Sequence, residues 1–196
     1  MSILGMLGQV LLASAIILSL FQVGKYPAIV RWTALGMSAV IGFFKIGDLR
    51  LIAYPGGVLG DLSITTQILL ASVIVKQVLG IDILSARDRS SVFFAAAAGG
   101  LVLYPLSSGL TMLDVYSLGF ESTALLIGLA VLAVMGWYLR PGAAIVIPVS
   151  VIAFNFGWLT STNVWDYLLD PMLTLFAWGW LLIVFTSRTL STARPT

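Results

Sequence analysis

The sequence predicts an all-α fold, a polytopic bundle of about seven transmembrane helices in a single integral membrane domain covering residues 1–196. Two observations lead to this prediction. Hydrophobic residues make up 60% of the chain and charged residues only 9%, whereas soluble domains contain about 25% charged residues. The apolar residues also form repeated runs close to the roughly 20 residues that a helix needs to cross a bilayer. No linker or low-complexity segment separates these runs, so we expect one domain.

Composition also argues against several kinds of site. The chain has no cysteine and no histidine, which disfavours disulfides, thiolate chemistry, zinc, haem and imidazole-based catalysis. We therefore expect no metal and no cofactor. The formal net charge is only +2, which is ordinary for a membrane protein with basic cytoplasmic loops and gives no indication of nucleic-acid binding.

Seven apolar segments are candidate spans. The first covers residues 3–23, and because no basic residue precedes Ala13-Ser14-Ala15 we interpret it as an uncleaved span rather than a signal peptide. The other six cover residues 28–44, 63–79, 91–104, 122–139, 143–159 and 171–187. The second is short and has Arg31 near its start, so this side chain must reach the interface. Six spans, with the second helix lying in the interface, are the alternative.

Local signals predict the ends of these segments. Ser90-Ser91 is expected to cap the fourth segment, and Pro105 is expected to end it. Arg140-Pro141-Gly142 predicts a tight turn before the sixth segment, in which Pro148 should loosen the backbone. Between the second and third segments, Tyr54-Pro55-Gly56-Gly57 is expected to break any helix.

Basic residues predict the orientation, because cytoplasmic loops are enriched in Lys and Arg. Most of them lie between alternate pairs of segments or in the tail: Lys25, Arg31, Lys76, Arg87, Arg89, Arg140, Arg188 and Arg194. The loops between segments four and five and between six and seven have none. We therefore expect an outer N-terminus and a cytoplasmic C-terminus in the plasma membrane, the inner membrane if the source is bacterial. Lys45 and Arg50 are the exceptions.

The same orientation places most acids on the outer side. These are Asp48, Asp61, Asp114, Glu121, Asp166 and Asp170. Many aromatic residues share that side, namely Tyr54, Tyr104, Tyr116, Phe120, Trp158, Trp165 and Tyr167. One face is thus predicted to be acidic and aromatic, and the other basic.

Structural roles are the first interpretation for most of the acids. Asp61, Glu121 and Asp170 come just before segments that start on the outer side, where a carboxylate caps a helix and meets its positive end. Such a cap contributes roughly 0.5–2 kcal/mol. Asp170 is followed by Pro171, which suits the first helical position.

The remaining acids have other local interpretations. Asp82 and Asp88 lie beside Arg87 and Arg89 and are expected in a solvated loop. Asp48 and Arg50 are expected to pair with each other or with Lys45. Asp114 follows Thr111 by three residues, which matches a capping box.

A set of polar residues on the outer side forms the candidate ligand site. It comprises Asp48, Arg50, Tyr54, Asp61, Gln67, Asp114, Asn155, Trp165 and Asp166. Asp166 and Asp170 are four residues apart, so on one helix they would repel each other unless a cation, sugar hydroxyls or Arg50 lay between them. Trp165-Asp166-Tyr167 suits a polyol or glycan, although an interfacial aromatic belt explains the same residues.

Polar residues within the spans point to the same side. Gln67, Thr65 and Thr66 lie in the outer half of the third segment, and Asn155 lies in the outer half of the sixth. They are candidates to line an outward-opening cavity. Ordinary interhelical hydrogen bonding, worth about 0.6 kcal/mol per contact, is the alternative.

One short stretch resembles a known family. Gly47-Asp48-Leu49-Arg50-Leu51, followed by Gly57 and Gly60, is similar to the Gly-Asp-x-Lys-Leu stretch of prepilin-peptidase-like intramembrane aspartyl proteases. The resemblance implies that Asp48 is one of two catalytic aspartates. The other should lie upstream, but no acid precedes Asp48, and Arg50 replaces the usual lysine, so the family's activity is not transferred to this chain.

Three functions remain as hypotheses. The first is a non-enzymatic subunit or handler of an amphiphilic or polyol ligand, such as a lipid-linked one, at the outer leaflet, with membrane lipids, other membrane subunits or a second copy as partners. The second is an outer-face intramembrane hydrolase or transferase, in which Asp48 acts as acid or base, Arg50 clamps an anion, and Asp114 or Asp166 is the second carboxylate. The third is a passive channel. No ionisable residue falls at a span centre, which argues against an ion-coupled carrier.

Overall fold

The computed structural model of the chain describes residues 2–51, 53–109, 114–120 and 123–192. In these ranges the fold is all-α apart from one two-stranded hairpin of β1 (Lys45–Ile46) and β2 (Leu49–Arg50). The helices are α1 (Ile3–Leu20), α2 (Ala28–Ile41), α3 (Ala53–Leu59), α4 (Ile64–Leu79), α5 (Ala86–Ser107), α6 (Thr123–Leu139), α7 (Pro141–Ala144), α8 (Val146–Asn155), α9 (Trp165–Leu168) and α10 (Pro171–Thr192). Short 3₁₀ helices cover Val23–Lys25 and Tyr116–Gly119. The predicted all-α class is confirmed.

Helix length and surface composition indicate a membrane protein. By length and hydropathy, α1 and α5 can cross a bilayer, and five shorter apolar helical stretches accompany them. Large apolar side chains are exposed along several helices. On α6, for example, Val134, Trp137 and Leu139 are 59%, 56% and 75% exposed, and soluble monomers rarely present continuous apolar surface of this kind.

The start of α5 differs from the sequence prediction. Ser85, rather than Ser90-Ser91, caps the helix, because its Oγ accepts a hydrogen bond from the Asp88 amide at 3.1 Å. The Asp88 carboxylate in turn accepts from the Ser85 amide at 3.2 Å, which completes a capping box. The hydroxyls of Ser90 and Ser91 donate to carbonyls one turn earlier in the same helix.

Two predicted stops also fall inside helices. Pro105 does not end α5, which continues to Ser107; a proline so close to the end of a helix removes one hydrogen bond and little else. Tyr54-Pro55-Gly56-Gly57 lies within α3, where Pro55 occupies the first turn and its missing amide is not needed. Both predictions were therefore wrong.

The predicted sixth segment is divided. Arg140-Pro141-Gly142 is not a free turn: Pro141 opens α7, and the Ala144 amide donates to the Arg140 carbonyl at 2.9 Å. Ile145 separates α7 from α8. Pro148 lacks an amide and so leaves the carbonyl four residues earlier without its helical partner, which accounts for the break at this point.

The helices pack in two groups that share a core. α1 lies against α2 and α4, while α5 lies against α10 and α7. α4 joins the groups through its contact with α8 and through a cluster in which Leu69 meets Val92, Val146 and Leu173. Gly100 allows α10 to approach α5, since a Cβ there would lie 2.2 Å from a side-chain carbon of Thr174.

Hydrogen bonds connect several helix starts and loops at one end of the bundle. The starts of α1, α4 and α10 meet around Asp61 and Asp170, and Asp166 joins the 3₁₀ helix Tyr116–Gly119 to this group. We call this the acidic end, defined by Asp61, Asp166 and Asp170. The opposite end is the basic end, defined by Lys76, Arg87, Arg89 and Arg140.

Candidate functional site

A cavity of about 390 Å³ opens at the acidic end. Its lining combines three carboxylates, four side-chain hydroxyls and an apolar remainder: Leu59, Gly60, Asp61, Leu103, Tyr104, Tyr116, Leu159, Thr160, Ser161, Asp166, Leu169, Asp170 and Pro171. We call it the acidic cavity. No lysine or arginine is among these described lining residues.

Asp61 lines one side of the acidic cavity. Its Oδ2 accepts hydrogen bonds from the amide and the hydroxyl of Thr160 at 2.9 and 2.6 Å, and from the Ser2 hydroxyl at 3.3 Å. Gly5 makes room for the carboxylate, because a Cβ at that position would lie 1.9 Å from Asp61 Oδ1. Asp61 does not cap α4 as predicted; Ser63 does, accepting from the Thr66 amide at 3.2 Å.

Asp170 is a fully engaged structural carboxylate, and the predicted cap of α10 is confirmed. Its Oδ1 accepts from the Leu173 amide at 2.8 Å. Its Oδ2 accepts from the amide and hydroxyl of Ser63 at 3.0 and 2.7 Å, and also from the Thr66 hydroxyl. With 4% of its surface exposed, Asp170 joins the starts of α4 and α10 and keeps little acceptor capacity for a ligand.

Asp61 and Asp166 each have one carboxylate oxygen without a described donor, but Asp61 Oδ1 packs against Gly5 of α1, so Asp166 is the carboxylate with acceptor capacity for a ligand. Its Oδ2 accepts from the Ser161 hydroxyl at 2.5 Å and the Tyr116 hydroxyl at 2.9 Å, while no described residue donates to its Oδ1. Burial, reinforced by the hydrogen bond to Asp166, raises the pKa of Tyr116 to about 12, so the phenol keeps its proton. Asp166 and Asp170 do not lie on one helix, the condition under which they were expected to repel each other, since α9 ends at Leu168.

Trp165 and Tyr167 support the cavity instead of facing it. Tyr167 is fully buried; its hydroxyl accepts from the Leu159 amide at 3.0 Å and lies 3.1 Å from the Ser161 carbonyl. Burial raises the pKa of this phenol. Trp165 Nε1 donates to the Val115 carbonyl at 3.0 Å. Because the Tyr167 side chain is fully buried, its ring is accessible neither to a ligand nor to the membrane interface.

Three predicted site residues lie on the hairpin and α3. Asp48 is exposed in the two-residue turn, where Gly47 has φ +65°. The guanidinium of Arg50 lies 5.8 Å from the Phe43 ring centre. The predicted pairing of Asp48, Arg50 and Lys45 is not formed, because the ion pairs among described residues involve only Asp82. Tyr54 is exposed on α3, and none of these residues lines the acidic cavity.

Asp114 has a local role at the loop that carries Tyr116. It is exposed, and its Oδ1 accepts from the Ser117 amide at 3.2 Å, which caps the 3₁₀ helix. Thr111, its predicted capping-box partner, and Glu121 both lie outside the described residues.

Gln67 and Asn155 also lie away from the cavity. Gln67 is buried and donates to the Leu62 carbonyl at 2.9 Å. Asn155 is exposed and donates to the Val151 carbonyl of its own helix at 2.9 Å. Thr66 donates to Asp170. Of these contacts only the one between Thr66 and Asp170 joins two helices, as the alternative of interhelical hydrogen bonding expects; those of Gln67 and Asn155 are local.

Several cavity residues were not singled out from the sequence. The sequence marks Tyr104 and Tyr116 only as outer aromatics and does not point to Thr160 or Ser161 individually. The run Thr-Ser-Thr-Asn at 160–163, placed between two tryptophans, was an available signal. Gln9 was a second one, since it is a lone amide in an apolar helix; it donates to the Gly60 carbonyl at 2.9 Å while its own buried Oε1 has no protein partner.

The arrangement of the carboxylates bears on whether this site could hold a metal ion. Among described residues no group of three or more acidic side chains is placed to hold a metal ion. The chain matches no protein-family model, no curated protein and no solved structure. The described residues form a helical fold with two helices long and apolar enough to cross a membrane, and with an acidic, hydroxyl-rich cavity at one end.

Proposed function

We propose that this chain is a non-enzymatic binder of an amphiphilic ligand with a polyol headgroup, handled at the outer leaflet of the plasma membrane. One observation carries the proposal: three carboxylates and four side-chain hydroxyls surround one cavity whose described lining has no basic residue. Carboxylates accept hydrogen bonds from sugar hydroxyls, and serine, threonine and tyrosine hydroxyls both donate and accept. A phosphate in the same place would meet negative charge without a cation to offset it.

The apolar part of the lining suits the rest of such a ligand. Leu59, Leu103, Leu159 and Leu169 line the cavity beside the polar groups. Ligand sites are commonly apolar with a few polar groups that fix orientation. A headgroup held by Asp166 and Tyr116, with hydrocarbon against the leucines, is therefore the mode of binding that we propose.

We further propose that seven helices cross the bilayer with the acidic end outside. The hydrogen bond of Ser2 to Asp61 supports an outer start of α1, and the 2.8 Å bond from the Gly24 amide to Gln77 supports an inner end. The basic end then lies in the cytoplasm, as the positive-inside rule requires. If only six helices cross the bilayer and α2 lies in the interface, α1 must end on the outer side, where α4 begins. Its start would then lie on the cytoplasmic side, away from the acidic end.

Thermal stability with chemically distinct amphiphiles tests the proposal. The full chain is reconstituted in phosphatidylcholine nanodiscs, and an alkyl maltoside, dodecyl phosphate or dodecyltrimethylammonium is added below its critical micelle concentration. At ten times its Kd a ligand stabilises the folded state by about 1.4 kcal/mol, or about 3–6 °C for a chain of this length. We expect this increase with the maltoside and not with the phosphate.

Two variants make the test specific to the cavity. Asp166→Asn keeps a side-chain oxygen for Tyr116 and Ser161 but loses the carboxylate, and it should abolish the maltoside effect. Asp48→Asn removes the same charge from the exposed hairpin turn and should leave the effect unchanged. Equal stabilisation by all three amphiphiles, or a maltoside effect that persists in Asp166→Asn, contradicts the proposal.

A second candidate is an outer-face hydrolase or transferase on a lipid-linked substrate. The observation that favours it is that Asp61 and Asp166 line the same cavity, since neighbouring carboxylates can divide acid and base roles. Asp48 lies outside that cavity, so Asp61 and Asp166 replace it in this version. Loss of turnover in both Asp61→Asn and Asp166→Asn, with binding of the maltoside retained, distinguishes this candidate from a simple binder.

A further inference from the structure

A groove of about 700 Å³ lies at the basic end, between the start of α5, the start of α7 and the last part of α10. Its polar lining consists of Arg87, Ser90, Ser91 and Arg140. We call it the basic groove. Its apolar lining includes Phe94 and Trp180, and the Trp180 ring lies 5.5 Å from that of Phe93 on α5, so α5 and α10 pack closely along its floor.

The acids near this groove are already engaged. Asp82 pairs with Lys76 at 2.8 Å and with Arg89 at 2.6 Å, and the Arg89 hydrogen bond, followed by that of Lys76, lowers the pKa of Asp82 to about 2. Asp88 is held in the capping box with Ser85. Within the described part of the chain, Arg87 and Arg140 form no ion pair.

Two apolar cavities adjoin the basic groove. One, of about 410 Å³, shares Ser91 and Arg140 with it and extends along α5 as far as Gly99; eight residues of helix correspond to about 12 Å. The other, of about 700 Å³, shares Phe94 and extends to Leu101 between α5 and α10. The basic groove is therefore next to two separate apolar cavities.

We infer that the basic groove binds one anionic phospholipid with two acyl chains. Arg87 and Arg140 face its phosphate, and each chain lies in one of the two apolar cavities. Charge complementarity selects an anionic headgroup, because neither exposed arginine pairs with a described carboxylate and basic pockets between membrane helices suit such lipids. Because two apolar cavities adjoin the groove, a lipid with two acyl chains fits the site better than a lipid with one. The inferred lipid headgroup site is separate from the acidic cavity, although the first apolar cavity extends to Leu169, which also lines the acidic cavity.

Native mass spectrometry of the purified full chain tests the inference. Dioleoyl phosphatidylglycerol and dioleoyl phosphatidylcholine are titrated separately into protein held in a neutral detergent. We expect one saturable adduct with phosphatidylglycerol at low lipid concentration. Because each arginine near a lipid surface contributes roughly a factor of five in affinity, the double variant Arg87→Gln/Arg140→Gln should weaken this binding roughly 30-fold and leave phosphatidylcholine binding unchanged.

The matched control is Lys45→Gln/Arg50→Gln, which removes the same charge from the hairpin and should keep the adduct. Equal losses in both double variants, or no loss in Arg87→Gln/Arg140→Gln, overturn the inference. Lyso-phosphatidylglycerol, with one chain, should bind more weakly than the two-chain lipid, and equal binding overturns the assignment of both cavities. Displacement of the lipid by millimolar inorganic phosphate shows a phosphate site only and also overturns it.

Discussion

At the scale of single residues, three aspartates at one end of the bundle have three different roles. Asp170 accepts hydrogen bonds from two helices, Asp61 fastens the loop that carries Thr160 to the start of α1, and Asp166 has one oxygen to which no described residue donates. The hydrogen bonds of a carboxylate, more than its exposure, therefore indicate whether it can serve a ligand. This distinction makes Asp166 the residue on which the proposed binding depends.

Replacing Asp170 should destabilise the protein strongly. In Asp170→Ala the donors of Ser63 and Thr66 remain buried without an acceptor, and hydrogen bonds to a charged group are worth about 1.5–3 kcal/mol each. We expect the free energy of unfolding to fall by about 3–5 kcal/mol, measured by thermal or denaturant unfolding in one detergent. Asp114→Ala, an exposed cap, should cost only about 1 kcal/mol. Similar losses in the two variants would show that Asp170 does not join α4 to α10.

At the scale of elements, the connection between α4 and α5 is stabilised by charge. Asp82 lies in that connection and pairs with Lys76 of α4 and Arg89 of α5. Both partners keep the carboxylate ionised, which is why its pKa falls to about 2. A carboxyl group whose pKa is lower in the folded state contributes stability above its unfolded value, and this contribution is lost as the pH falls towards the folded value.

Acid titration should show this contribution directly. Between pH 4 and pH 2 the melting temperature of the wild type should fall more than that of Asp82→Asn, which has no carboxyl group to protonate at this position. The difference should be small and should shrink in high salt, because the pair is exposed. Asp48→Asn, without an ion pair in the structure, should behave like the wild type. If the difference in melting temperature between the wild type and Asp82→Asn does not change with pH, protonation of Asp82 is not linked to stability.

Local sequence signals predicted some elements well and others poorly. The apolar run ending at Gly80, which has φ +74°, predicted α4, and Asp170-Pro171 predicted the start of α10. Ser85 and Asp88 have the spacing of a capping box in the sequence, but Ser90-Ser91 lies directly before the apolar run and gives a competing local signal for the start of the helix. Asp61 and Thr160 are 99 residues apart, so no local pattern could bring them together; this contact depends on how α1, α4 and α8 pack.

At the scale of the whole molecule, opposite charges collect at opposite ends of one helical bundle. The acidic cavity and the basic groove are built from the same helices, since α5 contributes Tyr104 to the former and Arg87 to the latter. The sequence predicted this separation of charge from loop composition. It did not predict which residues would share a cavity, because that depends on short structures such as the 3₁₀ helix that presents Tyr116.

Cysteine labelling tests the proposed topology of the whole molecule. The chain has no cysteine, so each introduced one reports alone. Asp48→Cys and Asp114→Cys are exposed at the proposed outer side and should react with a membrane-impermeant maleimide in intact cells. Arg87→Cys and Arg140→Cys should react only after permeabilisation, because the proposed topology places them on the cytoplasmic side. Lys25→Cys separates the two span counts: with seven spans it is protected in intact cells, and with six it reacts together with Asp48→Cys. Labelling of Asp48 and Asp114 from opposite sides of the membrane would contradict the single acidic end and the outer-leaflet binding proposed from it.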